Sequence, residues 1–388
     1  MKQQNKYYNN LKDFLSSSLS SHKDLHFNLN YNEIGGEGLS SLGFALANCT
    51  NLTKLGFSFI NQISDDGVQG LGQAITKCIN VSYLTICLNY NQIGNQGASG
   101  LGQALAKCIN LQNLELYINK NLIGLIGASD MSYALAKLPN LSSLILDLGH
   151  NQISQKCELN LGSILAKCTN LSNLTLYLSG NQIGNEGLLD LGYTLANFTN
   201  LQNFTLYLNE NQIEDVGILG LGSSLVKCTN LSSLTLYLSQ NLICATSLLD
   251  LGSSLDNCSN LSNLTLDLGY NKIDDQGAQE LGYALSKCTN FSNLALYLFE
   301  NQIGAKGASS LCSALQKCSN LLNLTLYINV SQIDYEGQSC LVSALAKSTT
   351  LLNLILNLGD NQIQVSEKLK LKWKCLKLKR LISYKLFS

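Results

Sequence analysis

Two hydrophobic periods alternate along the chain. In the stretch NLSNLTLYLSGNQIGNEGLLDLGYTLANFT, residues 170–199, Leu174, Leu176 and Leu178 occupy every second position, as in a strand that buries one face. Further on, Leu188, Leu191, Leu195 and Phe198 are spaced three, four and three apart, the stripe of an amphipathic helix. Between them lies Asn181-Gln182-Ile183, a turn with Ile183 directed inward. The same pattern returns throughout. With Asn181 as anchor, Asn recurs at Asn61, Asn91, Asn121, Asn151, Asn211, Asn241, Asn271, Asn301 and Asn361, with Ser331 in the one gap and Asn32 standing 29 residues before Asn61. This is an array of about twelve units of 29–30 residues over residues 25–365, with no linker to divide it.

One strand and one helix cannot bury both of their apolar faces alone, whereas stacked copies can. Strands stack about 4.8 Å apart and helices about 8–10 Å apart, so two layers separated by about 10 Å bend by roughly 20–25° per unit. The pattern therefore predicts an α/β horseshoe solenoid, with a parallel sheet on the concave face and helices on the convex face. An Asn at each turn can bond backbone groups that a curved turn leaves unpaired, which predicts a stacked Asn ladder. Gly187 and its equivalents, Gly38, Gly67, Gly97, Gly127, Gly217, Gly277, Gly307 and Gly337, are expected just before each helix, in a tight turn. A second column, Gly43, Gly72, Gly102, Gly162, Gly192, Gly222, Gly252 and Gly282, falls inside the helices. Glycine there costs about 1 kcal/mol relative to alanine, so its repetition points to close helix packing.

Leu171-x-x-Leu174-x-Leu176, followed by Asn181-x-Ile183 and a Gly-opened helix, resembles the leucine-rich repeat of ribonuclease-inhibitor type. The resemblance covers about residues 25–388. The run Leu171 to Asn181 is about two residues longer than that family's usual strand signature, which implies longer strands. The Asn-rich wording is similar to ciliate repeat proteins, some of whose relatives are labelled kinase-domain proteins. No H-R-D or D-F-G motif supports that label, and no G-x-x-x-x-G-K-[ST] supplies a nucleotide loop. A Ran GTPase-activating protein would be similar in scaffold, but that family has an acidic tail and needs a surface arginine. Here the tail is basic, and Arg380 is the single arginine.

Composition narrows the chemistry. Charged residues are only 13%, and Lys+Arg 25 against Asp+Glu 26 gives a net charge of −1, which argues against nucleic acid as a partner. Three histidines, His22, His26 and His150, leave no basis for a His-based metal or acid–base cluster. No apolar run is long enough to span a membrane, and residues 1–24, with Leu11, Leu15 and Leu19 at helical spacing, read as a polar cap rather than a signal peptide. Fourteen cysteines then suit a reducing, cytoplasmic setting. Eight of them, Cys49, Cys78, Cys108, Cys168, Cys228, Cys258, Cys288 and Cys318, form one column near the helix ends, where Leu138 and Phe198 also stand. Buried free thiols used as small hydrophobes explain that column better than metal or redox chemistry.

Residues 366–388 differ from the rest. They carry seven Lys and one Arg against one Glu and read as a basic cap with a truncated last repeat. Leu371, Cys375 and Leu378 fall in helix-core columns, Leu381, Tyr384 and Leu386 in strand columns, while Leu369, Trp373 and Leu376 point away from the core. Such a helix can dock on an acidic protein face or an anionic membrane. The plainer role is a lysine-protected end that keeps an edge strand from pairing.

Strand alternation places Thr175, Tyr177 and Ser179 on the concave face. Its tyrosine column is Tyr117, Tyr177, Tyr207, Tyr237, Tyr297 and Tyr327, broken by Asp147, Asp267 and Asn357. Tyrosine gives large contact area at small entropic cost, so these residues, with Asp147 and Asp267, are the candidate protein-binding set. Asp147 and Asp267 stand four units apart, too far to act as a hydrolytic carboxylate pair. No catalytic residue, cofactor or metal is expected. The reading is a non-enzymatic scaffold for a protein ligand. The alternatives are a regulator that docks on a small GTPase or kinase, and a structural component of a cytoskeletal or ciliary assembly.

Overall fold

Among the described residues there are thirteen short parallel strands, and after the first, alternate leucines or other apolar residues produce each of them, followed by a turn and, in most repeats, a helix. The computed structural model describes residues 6–30, 36–60, 63–154, 168, 170–256, 258–288, 290–329, 331–347, 350–359, 361 and 364–376. Asn32, Asn61, Gly162, Leu378, Arg380, Leu381, Tyr384 and Leu386 lie outside the described residues, as do the side chains of Leu371, Cys375 and Leu376.

The chain divides into two compact units, Met1–Gln182 and Ile183–Ser388. In the first, β1 (Lys6–Tyr8), β2 (Asp24–Asn28), β3 (Lys54–Ser58), β4 (Tyr83–Cys87), β5 (Asn113–Tyr117), β6 (Ser143–Asp147) and β7 (Asn173–Tyr177) pair in chain order, all parallel. The second holds β8 (Asn203–Tyr207), β9 (Ser233–Tyr237), β10 (Asn263–Asp267), β11 (Asn293–Tyr297), β12 (Asn323–Tyr327) and β13 (Asn353–Asn357), paired in the same way. Register never slips, since Leu264 faces Leu294 and Leu266 faces Leu296. A one-residue slip would turn every leucine away from the core. Helices such as Asn95–Leu105, Gly184–Leu195 and Asp275–Leu285 cover the leucine side of their own unit's sheet. Leu174, Leu176, Leu178, Ile183, Leu188, Leu191, Leu195 and Phe198 are all buried, as their spacing predicts.

The asparagine ladder is present, and its bonding is specific. Asn241 Oδ1 accepts from the N–H of Asn211 (3.1 Å) and Ile213 (3.0 Å) of the preceding repeat. Its Nδ2 donates to the carbonyls of Leu208, Leu238 and Ser239. Asn181 repeats the arrangement, and Asn121, Asn271 and Asn301 likewise accept from the preceding repeat's Ile N–H and donate to the two leucine or isoleucine carbonyls. One side chain thus satisfies buried donors and acceptors of two neighbouring turns, groups that would otherwise cost about 1–3 kcal/mol each. Strands of the repeats are five residues long, but ladder bonds continue past them, from Leu88 N–H to the Tyr117 carbonyl and from Tyr90 N–H to that of Asn119. The two extra residues of the repeat end in a left-handed residue just before the ladder Asn. Tyr90, Lys120, His150, Gly180, Glu210, Gln240, Tyr270 and Glu300 all have φ between 49° and 66°.

The first glycine column sits differently from its expected place. Gly67, Gly97, Gly127, Gly217, Gly277, Gly307 and Gly337 are the third residues of their helices, not turn residues before them, and none has positive φ. They provide room. A Cβ on Gly127 would stand 2.7 Å from Asn95 Cα, and one on Gly337 3.0 Å from Ala305 Cα. The same closeness lets one repeat cap the next. Asn95 Oδ1 accepts from Gly124 and Gly127 N–H, Asp275 Oδ1 from Gly304 and Gly307, and Asn185 Oδ1 from Glu214 and Gly217. Helix N-termini leave four N–H groups unpaired, so this cap explains why the helices begin earlier than expected. The second column packs helix on helix as predicted: a Cβ on Gly102 would lie 2.7 Å from Met131 Cα, and one on Gly72 2.9 Å from Ala104 Cβ.

The amino-terminal segment contributes β1, the helix Leu11–Leu15 and a 3₁₀ turn, Leu19–Ser21. Its fully buried apolar side chain is Phe14, packed edge-on against Phe27, while Leu15 is exposed. All eight column cysteines are buried thiols outside any disulfide. Burial pushes Cys78 and Cys228 up to about 12, so they remain protonated, and the Cys228 thiol donates to the Leu195 carbonyl at 3.3 Å.

Candidate functional site

The sheet face opposite the helices is built from the first, third and fifth residues of each strand. In the second unit the first column is Asn203, Ser233, Asn263, Asn293, Asn323 and Asn353. The asparagines interlock: Asn323 Nδ2 donates to Asn293 Oδ1 at 2.5 Å, and Asn293 to Asn263 and Asn353 to Asn323 in the same way. The second column is Thr205, Thr235, Thr265, Ala295, Thr325 and Ile355, and the third Tyr207, Tyr237, Asp267, Tyr297, Tyr327 and Asn357. Across these six strands Asp267 is the single charged side chain on the face.

The structure brings part of the predicted tyrosine set together. Tyr207 and Tyr237 stack with ring centroids 4.2 Å apart and planes 9° apart, and Tyr297 and Tyr327 lie 5.1 Å apart, tilted by 40°. In the first unit, Tyr117 and Tyr177 flank Asp147 in register. All six tyrosines are half-buried. Partial burial first, then the nearby Glu115 carboxylate, pushes Tyr117 up to about 12, so its hydroxyl keeps its proton and can donate.

The two aspartates behave as turn supports. Asp147 is only 7% exposed. Its Oδ1 accepts from Gly149 N–H at 3.0 Å and its Oδ2 from Asn119 Nδ2 at 2.6 Å. Asp267 Oδ1 accepts from Gly269 N–H at 3.1 Å, and Asn357 repeats the bond to Gly359. Burial raises both carboxyls, and the Gly N–H bonds oppose it. Where tyrosine gives way to Asp or Asn, a glycine follows two positions later, and the side chain closes that turn.

Sequence reasoning missed a charged patch on the outward sheet face of the first unit. Tyr83 Oη donates to Glu115 Oε1, Thr85 Oγ1 to Glu115 Oε2 at 3.3 Å, and Lys54 Nζ lies 5.7 Å from the Tyr83 ring centroid. The Glu115 hydrogen bond first, then burial, pushes Tyr83 up to about 12. Nearby, Tyr7 stacks on His26 at 5.1 Å, and His26 Nε2 lies 3.0 Å from Asp24 Oδ1. The available signal was the outward strand register, which places Lys54, Tyr83 and Glu115 on this face.

On the helix side of the first unit, a hollow of about 340 Å³ is lined by Asp65, Gln69, Asn95, Gln103 and Asp130 among others. Asp65 and Asn95 are already committed to capping, Asp65 through the Gly94 N–H at 2.7 Å. Among the described residues no group of three or more His, Cys, Asp or Glu is placed to hold a metal, and no described helix is long and apolar enough to cross a membrane.

A family model described as Leucine Rich repeat matches residues 25–43, 170–192, 260–282 and 294–312. No curated protein sequence matches the chain significantly. Among solved structures, an internalin, InlF, from Listeria monocytogenes is similar at a TM-score of 0.52 and 23% identity, covering 89% of this chain and 83% of that one. Internalin C2 from the same organism aligns at a TM-score of 0.38 and 21% identity, over 76% of this chain and 90% of its own. A structure of the Rad7 and Elc1 complex in yeast aligns at 0.47 and 18%, over 92% and 84%. The chain carries leucine-rich repeats, and its strand–turn–helix stacking is a leucine-rich-repeat solenoid.

Proposed function

We propose that this chain is a non-catalytic, cytoplasmic scaffold of ribonuclease-inhibitor-like repeats that holds a protein ligand, and not nucleic acid, against the open face of β8–β13. The observation that supports this most is a broad polar and aromatic surface almost free of charge. Charged side chains are depleted from the cores of protein interfaces, and tyrosine is enriched there. Stacked repeats of this kind present extended binding surfaces. The face is also preorganised: interlocked asparagines and stacked tyrosines have already lost the freedom that binding would otherwise remove. Asp267 is the one charged group within this surface, and its Oδ1 is held by the Gly269 N–H.

The test is affinity capture from a lysate of the source organism, with the intact protein compared against the Tyr207→Ala/Tyr237→Ala double variant. Removing two stacked rings from the middle of the face is expected to weaken retention of a bound protein by about tenfold or more. The melting temperature should change little, because both rings are outside the leucine core. An unchanged capture profile from a folded double variant would count against this face.

A further inference from the structure

The helix Val365–Leu376 carries features that the repeat does not require. Its positions 369 and 373 correspond to Ser339 and Ser343 one repeat earlier and to Ser309 and Ser313 before that. Here they are Leu369, 55% exposed, and Trp373, 66% exposed. They stand four residues apart and so share one helix face. Lys370 and Lys374 follow each of them by one position and are exposed. Lys374 reaches Ser339 Oγ and lies 6.0 Å from the Tyr335 ring, and among the described residues no carboxylate pairs with either lysine. The sequence adds Lys368 and Lys372 within the helix, and residues 366–388 hold seven Lys and one Arg against one Glu.

We propose that this helix face docks on an anionic lipid bilayer, with Leu369 and Trp373 entering the headgroup boundary and the lysines pairing with acidic headgroups. Amphipathic helices of this kind lie in the interface plane with a shallow apolar stripe, and their lysines snorkel toward the headgroups. Tryptophan is enriched at that depth. An acidic protein face would answer the lysines but would also need an apolar pocket aligned with Leu369 and Trp373. A bilayer supplies both along its whole surface.

Trp373 is the sole tryptophan of the chain, so its emission reports on this face directly. The full-length protein is mixed with phosphatidylcholine vesicles with and without phosphatidylserine, and followed by tryptophan emission and co-sedimentation. The expected result is a blue shift and binding about tenfold or more tighter on the phosphatidylserine vesicles, both lost at about 1 M salt, where the Debye length shrinks to about 3 Å. The Lys370→Glu/Lys374→Glu variant should abolish binding, and Leu369→Ser, which restores the residue found at Ser339 and Ser309, should weaken it with the fold unchanged by circular dichroism. Absence of a shift on phosphatidylserine vesicles, or equal binding to both vesicle types, overturns the proposal. So does binding to poly-glutamate without binding to vesicles, which would assign the face to an acidic protein.

Discussion

Replacing Asn241 with alanine is expected to cost about 4 kcal/mol and to lower the melting temperature by roughly 10 °C. The side chain is buried and accepts from the N–H of Asn211 and Ile213 while donating to the carbonyls of Leu208 and Leu238. Alanine leaves two backbone N–H groups without their acceptor and two carbonyls short of a donor, in a turn too tightly packed to admit water freely. Buried unpaired groups cost about 1–3 kcal/mol each, so even partial relaxation leaves a large loss. Repeat proteins couple mainly to nearest neighbours, so hydrogen exchange should rise first in the repeats on either side of Asn241. Ser331, the one ladder position without asparagine, gives the converse. Its Oγ is buried without a partner, and an asparagine would offer Oδ1 to the Ile303 N–H, as Asn301 does to Ile273. Ser331→Asn should therefore stabilise the protein by about 1 kcal/mol.

Gly102→Leu should be nearly as damaging, by about 3 kcal/mol in chemical denaturation. Helix propensity alone predicts the opposite sign, since leucine is a far better helix former than glycine. Contact geometry decides the matter: even a Cβ at Gly102 meets the Met131 backbone at 2.7 Å, and a backbone atom cannot turn aside as a side chain can. The helices Asn95–Leu105 and Leu125–Leu135 would have to part, pulling their leucines from the sheet. A gain in stability from Gly102→Leu would show that the glycine column serves something other than helix contact.

What the sequence revealed, and what it concealed, follows from where neighbours sit along the chain. The leucine columns, Ile183, the ladder asparagines, the inner glycines and the buried cysteines were legible, because each depends on period within one repeat and on residue type. The Asn95 and Asp275 caps were not. Their partners lie 29 and 32 residues away, and the capping position itself varies, with Leu125 and Ala305 at equivalent places. That hidden cap also displaced the outer glycines, expected in a turn but found in the first helical turn. Strand period places Asp147 and Asp267 in the tyrosine column, but the Gly149 and Gly269 N–H groups that close on them come from turn geometry that period does not carry. Phe14 escaped a reading based on leucine spacing because a helix of five residues is too short to display a period.

A paired capture experiment distinguishes a partner that meets the open sheet face from one that meets the helices. Thr235→Lys puts a charge in the middle of the face, beside Tyr207 and Tyr237, while Ser223→Lys puts the same charge on the exposed side of the helix Asp215–Leu225. With ligand capture measured for both folded variants, Thr235→Lys is expected to lose it by about tenfold or more, because a lysine buried without a partner is costly, and Ser223→Lys to match the unaltered protein. Loss in Ser223→Lys with full capture in Thr235→Lys would place the partner on the helices instead of the sheet face.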